Sequence, residues 1–330
     1  MIRIRQAEYE DIPRIMKFID EHWKKDHIFA RDRKFFEWQF VENGKVNFYL
    51  GIDEEQKKIY GVLGVILYNH SEHPDISGTI WKTIKSDNPI LGIEIDRYMF
   101  YALQARYACS AGISEKAKRI YQMLGHKIVL MDHFYRLGDL NEYKIAKIKN
   151  KKIPQIENTD YELKKIFSLS EMKAIISEEN LKNGIMSKDY DYIEKRYFEH
   201  PIYNYDIWNI QNTKQIGEAI LVTREEQVEN SKICKIIDYY GDAKLLGKIT
   251  PALDRLIMEK SYEYVDVYSY GVDRQIYEQA GFISVEENDE NIIPNYFHPF
   301  EKKNVFLNML DPQIDGLRLF RGDGDQDRPC

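Results

Sequence analysis

The chain has 330 residues, 43% hydrophobic and 31% charged, with a formal net charge of −7. It is too apolar to stay disordered and longer than most single hydrophobic cores, so two domains are expected. The acidic balance, with basic residues scattered apart from 144–152, argues against a nucleic-acid partner and leaves a small-molecule substrate as the expected one.

Three cysteines, Cys109, Cys234 and Cys330, lie far apart without a Cys-x-x-Cys pair, which excludes a disulfide framework and a zinc cluster. The N-terminus has no apolar leader, and the longest apolar run, Tyr60 to Tyr68, has a strand's length. No membrane insertion is expected, and a cytoplasmic location fits best.

In chain order, 2–5 alternates with period two as a strand, and Ile12, Ile15, Met16, Phe18 and Ile19 fall at helical spacing. A short helix is predicted over 35–41, then antiparallel strands over 48–52 and 60–69 around the Glu54–Lys57 turn, and a strand over 79–85. Asp87-Asn88-Pro89 breaks the chain before a helix over 95–103. A strand over 106–111, a short helix stopped by Gly125 and a strand over 127–131 follow. The basic, Asn-rich stretch 138–157 reads as a linker. Beyond it come strand 161–166, helices 169–176 and 190–198, strands 205–210, 216–224 and 233–239, helix 246–258, strand 263–268, a second short helix stopped by Gly281, and strand 283–285.

The second half repeats the first. Tyr121 and Gly125 recur as Tyr277 and Gly281 at an offset of 156, and Phe36–Phe40 with Phe48 recur as Ile193–Tyr197 with Tyr205 at 157. Both glycines follow a helix, where a left-handed C′ residue is least strained without a Cβ. The expectation is an α/β (α+β) fold of two tandem domains, each a mixed, mostly antiparallel sheet flanked by helices. They cover 1–140 and 159–330, joined by 141–158.

Ser114, Ala117, Tyr121 and Gly125, and less completely Tyr277, Gly281 and Phe282, are similar to the signature of the GCN5-related N-acetyltransferase (GNAT) superfamily; Ile2–Ala7 with Asp11 and Ile12 resembles its opening. The resemblance spans both halves and implies an acyl-CoA co-substrate whose diphosphate rests on a helix N-terminus, where free amides and the helix dipole favour an anion. The matching stretches carry Gly92 and Ile93 in the first half, and Lys244, Gly247 and Lys248 in the second, with Ser114 opening the signature helix. Only one glycine of the usual loop survives in each half, and Glu94 brings a carboxylate to the first. The resemblance further implies Tyr121 or Tyr277 as proton donor to the leaving thiolate. Asp238, at a strand end, is the candidate base for the amine, with Asp75 or Glu94 as first-half alternatives.

The last segment is the least generic. Asn295, Tyr296 and His298 lie past the second glycine stop, and Arg321, Asp323, Asp325, Asp327 and Arg328 alternate with Gly and Gln. Carboxylates and guanidinium forks in that pattern suit sugar hydroxyls and an anion, and Arg196 could join them. No metal is expected, because the Gly and the bidentate Glu that complete an EF-hand loop are absent. His22, His27, His70 and His73 read as solvated loop or face residues. The expected function is transfer of an acyl group from acyl-CoA to a small amine. A nucleotide-linked amino sugar of bacterial surface-polysaccharide synthesis is the acceptor that the resemblance suggests. The competing reading is a non-catalytic binding or scaffolding module with a degenerate CoA site.

Overall fold

The computed structural model describes every residue except 156–159, 183–185, 287–288, 325 and 330. It divides into two compact units, Met1–Ala111 with Arg328–Cys330, and Gly112–Asp327.

The first unit is a sheet in the order β1 (Ile2–Gln6), β2 (Phe48–Asp53), β3 (Lys58–Leu67), β4 (Asp75–Thr83), β5 (Tyr107–Ala111). All neighbours are antiparallel except β4 and β5, which are parallel. The parallel step needs a crossover, supplied by α3 (Leu91–Leu103), which lays Leu91, Ile95 and Met99 on Tyr49, Leu63, Val65 and Ile76. Helix α1 (Ile12–His22) buries Ile12, Ile15, Phe18 and Ile19, as its spacing predicts. Helix α2 (Arg33–Phe40) is capped by Asp32, whose side chain accepts from the Phe35 amide. It contributes to an aromatic cluster in which Phe40 and Phe48 meet edge to face at 4.6 Å.

The second unit opens with α4 (Glu115–Met123), β6 (Lys127–Leu130) and β7 (Asp132–Leu137). Its main sheet then uses β8 (Tyr161–Ile166), β9 (Asp206–Asn212), β10 (Gly217–Val228), β11 (Ser231–Tyr240), α5 (Lys244–Lys248), α6 (Thr250–Lys260), β12 (Tyr262–Tyr270), α7 (Arg274–Gln279) and β13 (Ile283–Ser284). The strand order is β8-β9-β10-β11-β12-β7-β13, with only β11 and β12 parallel. Two further strands belong to this unit: β14 (Asn308–Asp311) pairs with β6, and β15 (Leu319–Phe320) pairs with β12. Its core joins Leu253 and Ile257 of α6 to Leu221, Ile236, Val265, Val267, Tyr277 and Phe320.

The division at Ala111/Gly112 differs from the expected boundary at 140 because β7 is hydrogen-bonded on both edges inside the second unit, to β12 and to β13. The stretch read as a linker is also packed. Glu263, 2% exposed, accepts from the backbone amides of Lys144, Ile145 and Ala146, and Ile145 and Ala146 are buried. A carboxylate held by consecutive amides satisfies backbone donors that would be unpaired in a buried loop. Strand β4 starts four residues before the predicted 79–85, and α3 four before the predicted 95–103, since Leu91 reaches the core and begins the helix. Helix 190–198 splits into an α-helical turn, Tyr190–Ile193, and a wider π-helical one, Glu194–Phe198. The glycine stops hold: Gly125 and Gly281 have φ of 85° and 78°.

Candidate active site

In the first unit the ladder between β4 and β5 runs only from Asp75↔Tyr107 to Ser77↔Cys109. Beyond it the strands fork. At the apex the Ser110 hydroxyl donates to the Gly78 carbonyl at 2.8 Å, a side-chain rung where the backbone rungs stop. The β3–β4 register also shifts here, between Leu63↔Trp81 and Val65↔Gly78, so β4 carries a bulge around Thr79 and Ile80. A bulge leaves backbone groups unpaired and re-aims the strand, and such distortions gather at functional sites. The Thr79 hydroxyl at the bulge is buried without a hydrogen-bond partner. Past it, Trp81 to Ile84 are half-exposed.

The fork leads to the start of α3. The Ile90 amide donates to Asn88 Oδ1, the Leu91 amide to the Asn88 carbonyl and the Glu94 amide to the Ile90 carbonyl. The Gly92 and Ile93 amides, in the first helical turn, have no acceptor among the described residues. Gly92 is needed for packing as well: a Cβ there would lie 3.3 Å from the Trp81 indole and from Thr83. Glu94 sits in the same turn and accepts from Asn88 Nδ2 at 2.6 Å. The arrangement is a forked strand edge that leads to a helix start with two amides unbonded among the described residues. It suits an elongated ligand with a peptide-like middle and an anionic end.

The equivalent fork in the second unit is filled. Strands β11 and β12 part after Ile236↔Val267, and a bulge at Ile237 again breaks the register with β10. Here β15 enters: Phe320 and Leu319 pair with Ser269 and Tyr270, and the Gly322 amide donates to the Ile237 carbonyl at 2.7 Å. The helix start is also taken. Asp242 accepts from the Lys244 and Leu245 amides, Ile249 accepts from those of Ala252 and Leu253, and Pro251 has no N–H. An anion at the start of α5 would meet the Asp242 carboxylate beside the exposed Lys244 and Lys248.

The second-unit residues singled out in sequence are therefore placed differently from the expectation. Asp238 is fully buried, paired with Lys188 at 2.7 Å and accepting from the Tyr197 and Tyr240 hydroxyls at 2.6 and 2.7 Å. A carboxylate with those partners is not a free base. Tyr277 is 1% exposed, its hydroxyl 3.1 Å from Ser269 Oγ and its ring stacked on Phe134. Lys244 and Lys248 are exposed at α5, and Gly247 packs against the Ile276 carbonyl. Arg196 donates to the Gly324 and Asp327 carbonyls. Arg321 pairs with Asp266 at 3.0 Å and also donates to Asn295. Asp323 lies 2.9 Å from Lys188. Burial raises its carboxyl to about 6, with Lys188 opposing the shift and Asp238 adding to it. Arg321 and Asp323 are thus bound internally, each with a counter-ion on another element of the same unit. Tyr296 and His298 remain exposed, and Asp325 lies outside the described residues.

Elsewhere, Ser114 caps α4 by accepting from the Ala117 amide at 3.3 Å, and Tyr121 is buried against His126. Asp75 is buried in a bidentate pair with Arg106. Arg328 belongs to the first unit, donating to His27 Nε2 and lying over the Trp23 ring. His27, expected to be solvated, is 1% exposed, and burial pushes its imidazole down to about 3, with Arg328 adding to the shift. Sequence reasoning passed over Ser110, Thr79, Lys188 and Asp242. Asp242, just before a helix, carried a readable N-terminal signal; the others depend on a fork and a bulge that leave no local mark.

Among solved structures, the chain is similar to a probable N-acyltransferase of Enterococcus faecalis V583, a conserved protein of unknown function. The TM-score is 0.56 at 9% identity, over 94% of this chain and 72% of that one. It is equally similar to a GCN5-related N-acetyltransferase of Anabaena variabilis ATCC 29413, with a TM-score of 0.56 at 12% identity over the same shares. Neither a protein-family model nor a curated protein matches. At these identities the likeness is one of fold, and it extends over nearly the whole chain.

Proposed function

We propose that this chain, built on the fold of the GCN5-related N-acetyltransferases, is an acyl-CoA-dependent N-acyltransferase whose acyl-CoA lies in the first unit. The observation that carries the reading is the β4–β5 fork leading to the Gly92 and Ile93 amides, where the second unit's fork is filled by β15 and its helix start carries the Asp242 carboxylate. The diphosphate would sit on those amides, and the pantetheine amides would pair with the free edge of β4. The thioester would then reach the bulge at Thr79 and Ile80. Unpaired backbone amides there would face the oxygen that gains charge as the amine attacks.

The amine nitrogen forms a bond to the thioester carbon, the carbon–sulfur bond breaks, the nitrogen gives up one proton to water and the thiolate takes one from water. Asp75 and Glu94 are engaged with Arg106 and Asn88, so the amine reacts as the free base, its proton lost to water before attack. The acceptor in this reading is a small amine. Amino sugars, including nucleotide-linked ones, are the class to screen first.

Calorimetric titration with acetyl-CoA and with free CoA tests the reading. Saturable binding is expected, together with slower amide exchange over 78–93. A ligand at a hundred times its Kd raises stability by about 2.7 kcal/mol, so a thermal shift gives a second readout. Absence of both signals at millimolar ligand would overturn the proposal.

A further inference from the structure

The segment 317–327 does more than end the second unit. Its strand β15 lies between two parallel strands that have parted, bonded to β12 through Ser269 and Tyr270 and to β11 through Ile237. Leu317, Leu319 and Phe320 are buried, and Phe320 joins the main core. The fit is tight at two glycines. A Cβ on Gly322 would come 2.3 Å from the Tyr197 hydroxyl and 3.0 Å from the Ile237 carbonyl, and one on Gly271 would come 1.8 Å from the Leu317 carbonyl. The Gly271 contact falls below the approach that a real Cβ makes, so the backbones meet there only because that side chain is absent, while a Cβ on Gly322 would displace the Tyr197 hydroxyl and crowd the Ile237 carbonyl.

Three ions then fix the segment to three different elements. Arg321 meets Asp266 of β12 at 3.0 Å, and Asp323 meets Lys188 at 2.9 Å. Asp327 takes both arms of Arg224 of β10 at 3.1 and 2.7 Å and the Tyr205 hydroxyl at 2.8 Å. All six charged side chains are 4% exposed or less. Withdrawing the segment would strand Asp266, Lys188 and Arg224 as buried ions without these partners, the arrangement that interiors tolerate least.

We infer that the β11–β12 fork is a peptide slot, filled in cis by residues 319–323 where the first unit is open, so that the chain takes up one acyl-CoA and not two. The stoichiometry rests on the acyltransferase reading; the occupancy of the slot does not. The chemistry that the slot selects is a strand with glycine at its point of closest approach and an Arg-Gly-Asp order that places a cation and an anion on either side of that glycine.

Two measurements on the full chain separate the claims. Calorimetry with CoA should give one site per chain; two sites would overturn the inference, while no binding would sink only the acyltransferase reading. Hydrogen exchange without ligand should protect the 319–323 amides as strongly as those of β11 and β12, and CoA should leave that protection unchanged. Exchange as fast as an exposed loop, or loss of protection when CoA is added, would overturn the slot. Gly322→Ala should speed exchange at 319–323 by at least tenfold, and a synthetic peptide with the native 316–327 sequence, added in trans, should restore protection at Ile237 and Ser269. Failure of the peptide to restore it while β10 to β12 stay protected would count against a slot.

Discussion

If the diphosphate of acyl-CoA rests on the start of α3, Glu94 opposes it, and Glu94→Gln should tighten binding. The carboxylate lies in the first turn, two residues beyond the Gly92 amide, and Gln keeps the acceptor for Asn88 Nδ2. With a separation of about 7 Å and a diphosphate charge of about −2, the Coulomb repulsion is about 1.2 kcal/mol in a water-like dielectric. Screening at physiological salt lowers it to about 0.5 kcal/mol. The variant should therefore bind CoA about twofold more tightly at physiological salt and up to about eightfold more tightly at low salt. The same change removes an acid that favours the helix dipole, so the free protein should lose about 0.3–1 kcal/mol of stability. Calorimetry at two ionic strengths, with a thermal melt of the free variant, reads both effects. Opposite signs are the expected result. Affinity unchanged at low salt would place the diphosphate elsewhere and refute the assignment of α3.

The buried ions give further outcomes. Asp327→Asn should destabilise the protein by about 3 kcal/mol, the lower end for breaking a buried pair, because Arg224 keeps Glu226 at 2.5 Å; chemical denaturation measures it. Burial alone would raise the Asp327 carboxyl, but Arg224 holds it well below its ordinary range. Its contribution is therefore present above the unfolded value and lost on strong acidification, and wild type and variant should converge only there. Asp323 behaves oppositely: with its carboxyl raised to about 6, the folded state binds the extra proton, so stability falls as pH rises from about 4 to about 6. Denaturation of Asp323→Asn across that range should show a flatter profile than wild type. For His27, held down to about 3, the unfolded chain takes the proton first, so stability drops as pH falls below about 6.5. His27→Asn keeps an acceptor for the Phe29 amide and should remove about 2 kcal/mol of that loss at pH 5; an unchanged acid profile would contradict the burial argument.

Much of the architecture could be read from residue order. The offset shared by Tyr121 with Tyr277 and Gly125 with Gly281 located two helix stops, and strand 161–166 and the alternation of β1 were read directly because local periodicity decides them. Strand partners were not legible. Nothing local in Asp132–Leu137 says that it will pair with residues 264–269, and the basic stretch after it looked like a linker because its burial depends on Glu263, more than a hundred residues away. The polar tail misled for a related reason. Arg321, Asp323 and Asp327 have the composition of a ligand site, and composition cannot tell an external anion from an internal counter-ion.

The position of β7 bears on how the protein can be made. Its hydrogen bonds to β12 join residues 132–137 to 264–269, so the larger sheet cannot close until the polypeptide has been synthesised well past its midpoint. Such long-range pairing slows folding and leaves an unsatisfied strand edge exposed on the nascent chain. For the same reason a fragment cut at 141 would lack an internal strand of its own sheet, whereas one starting at Gly112 would carry it. Expression of the later half alone should therefore start at the earlier position.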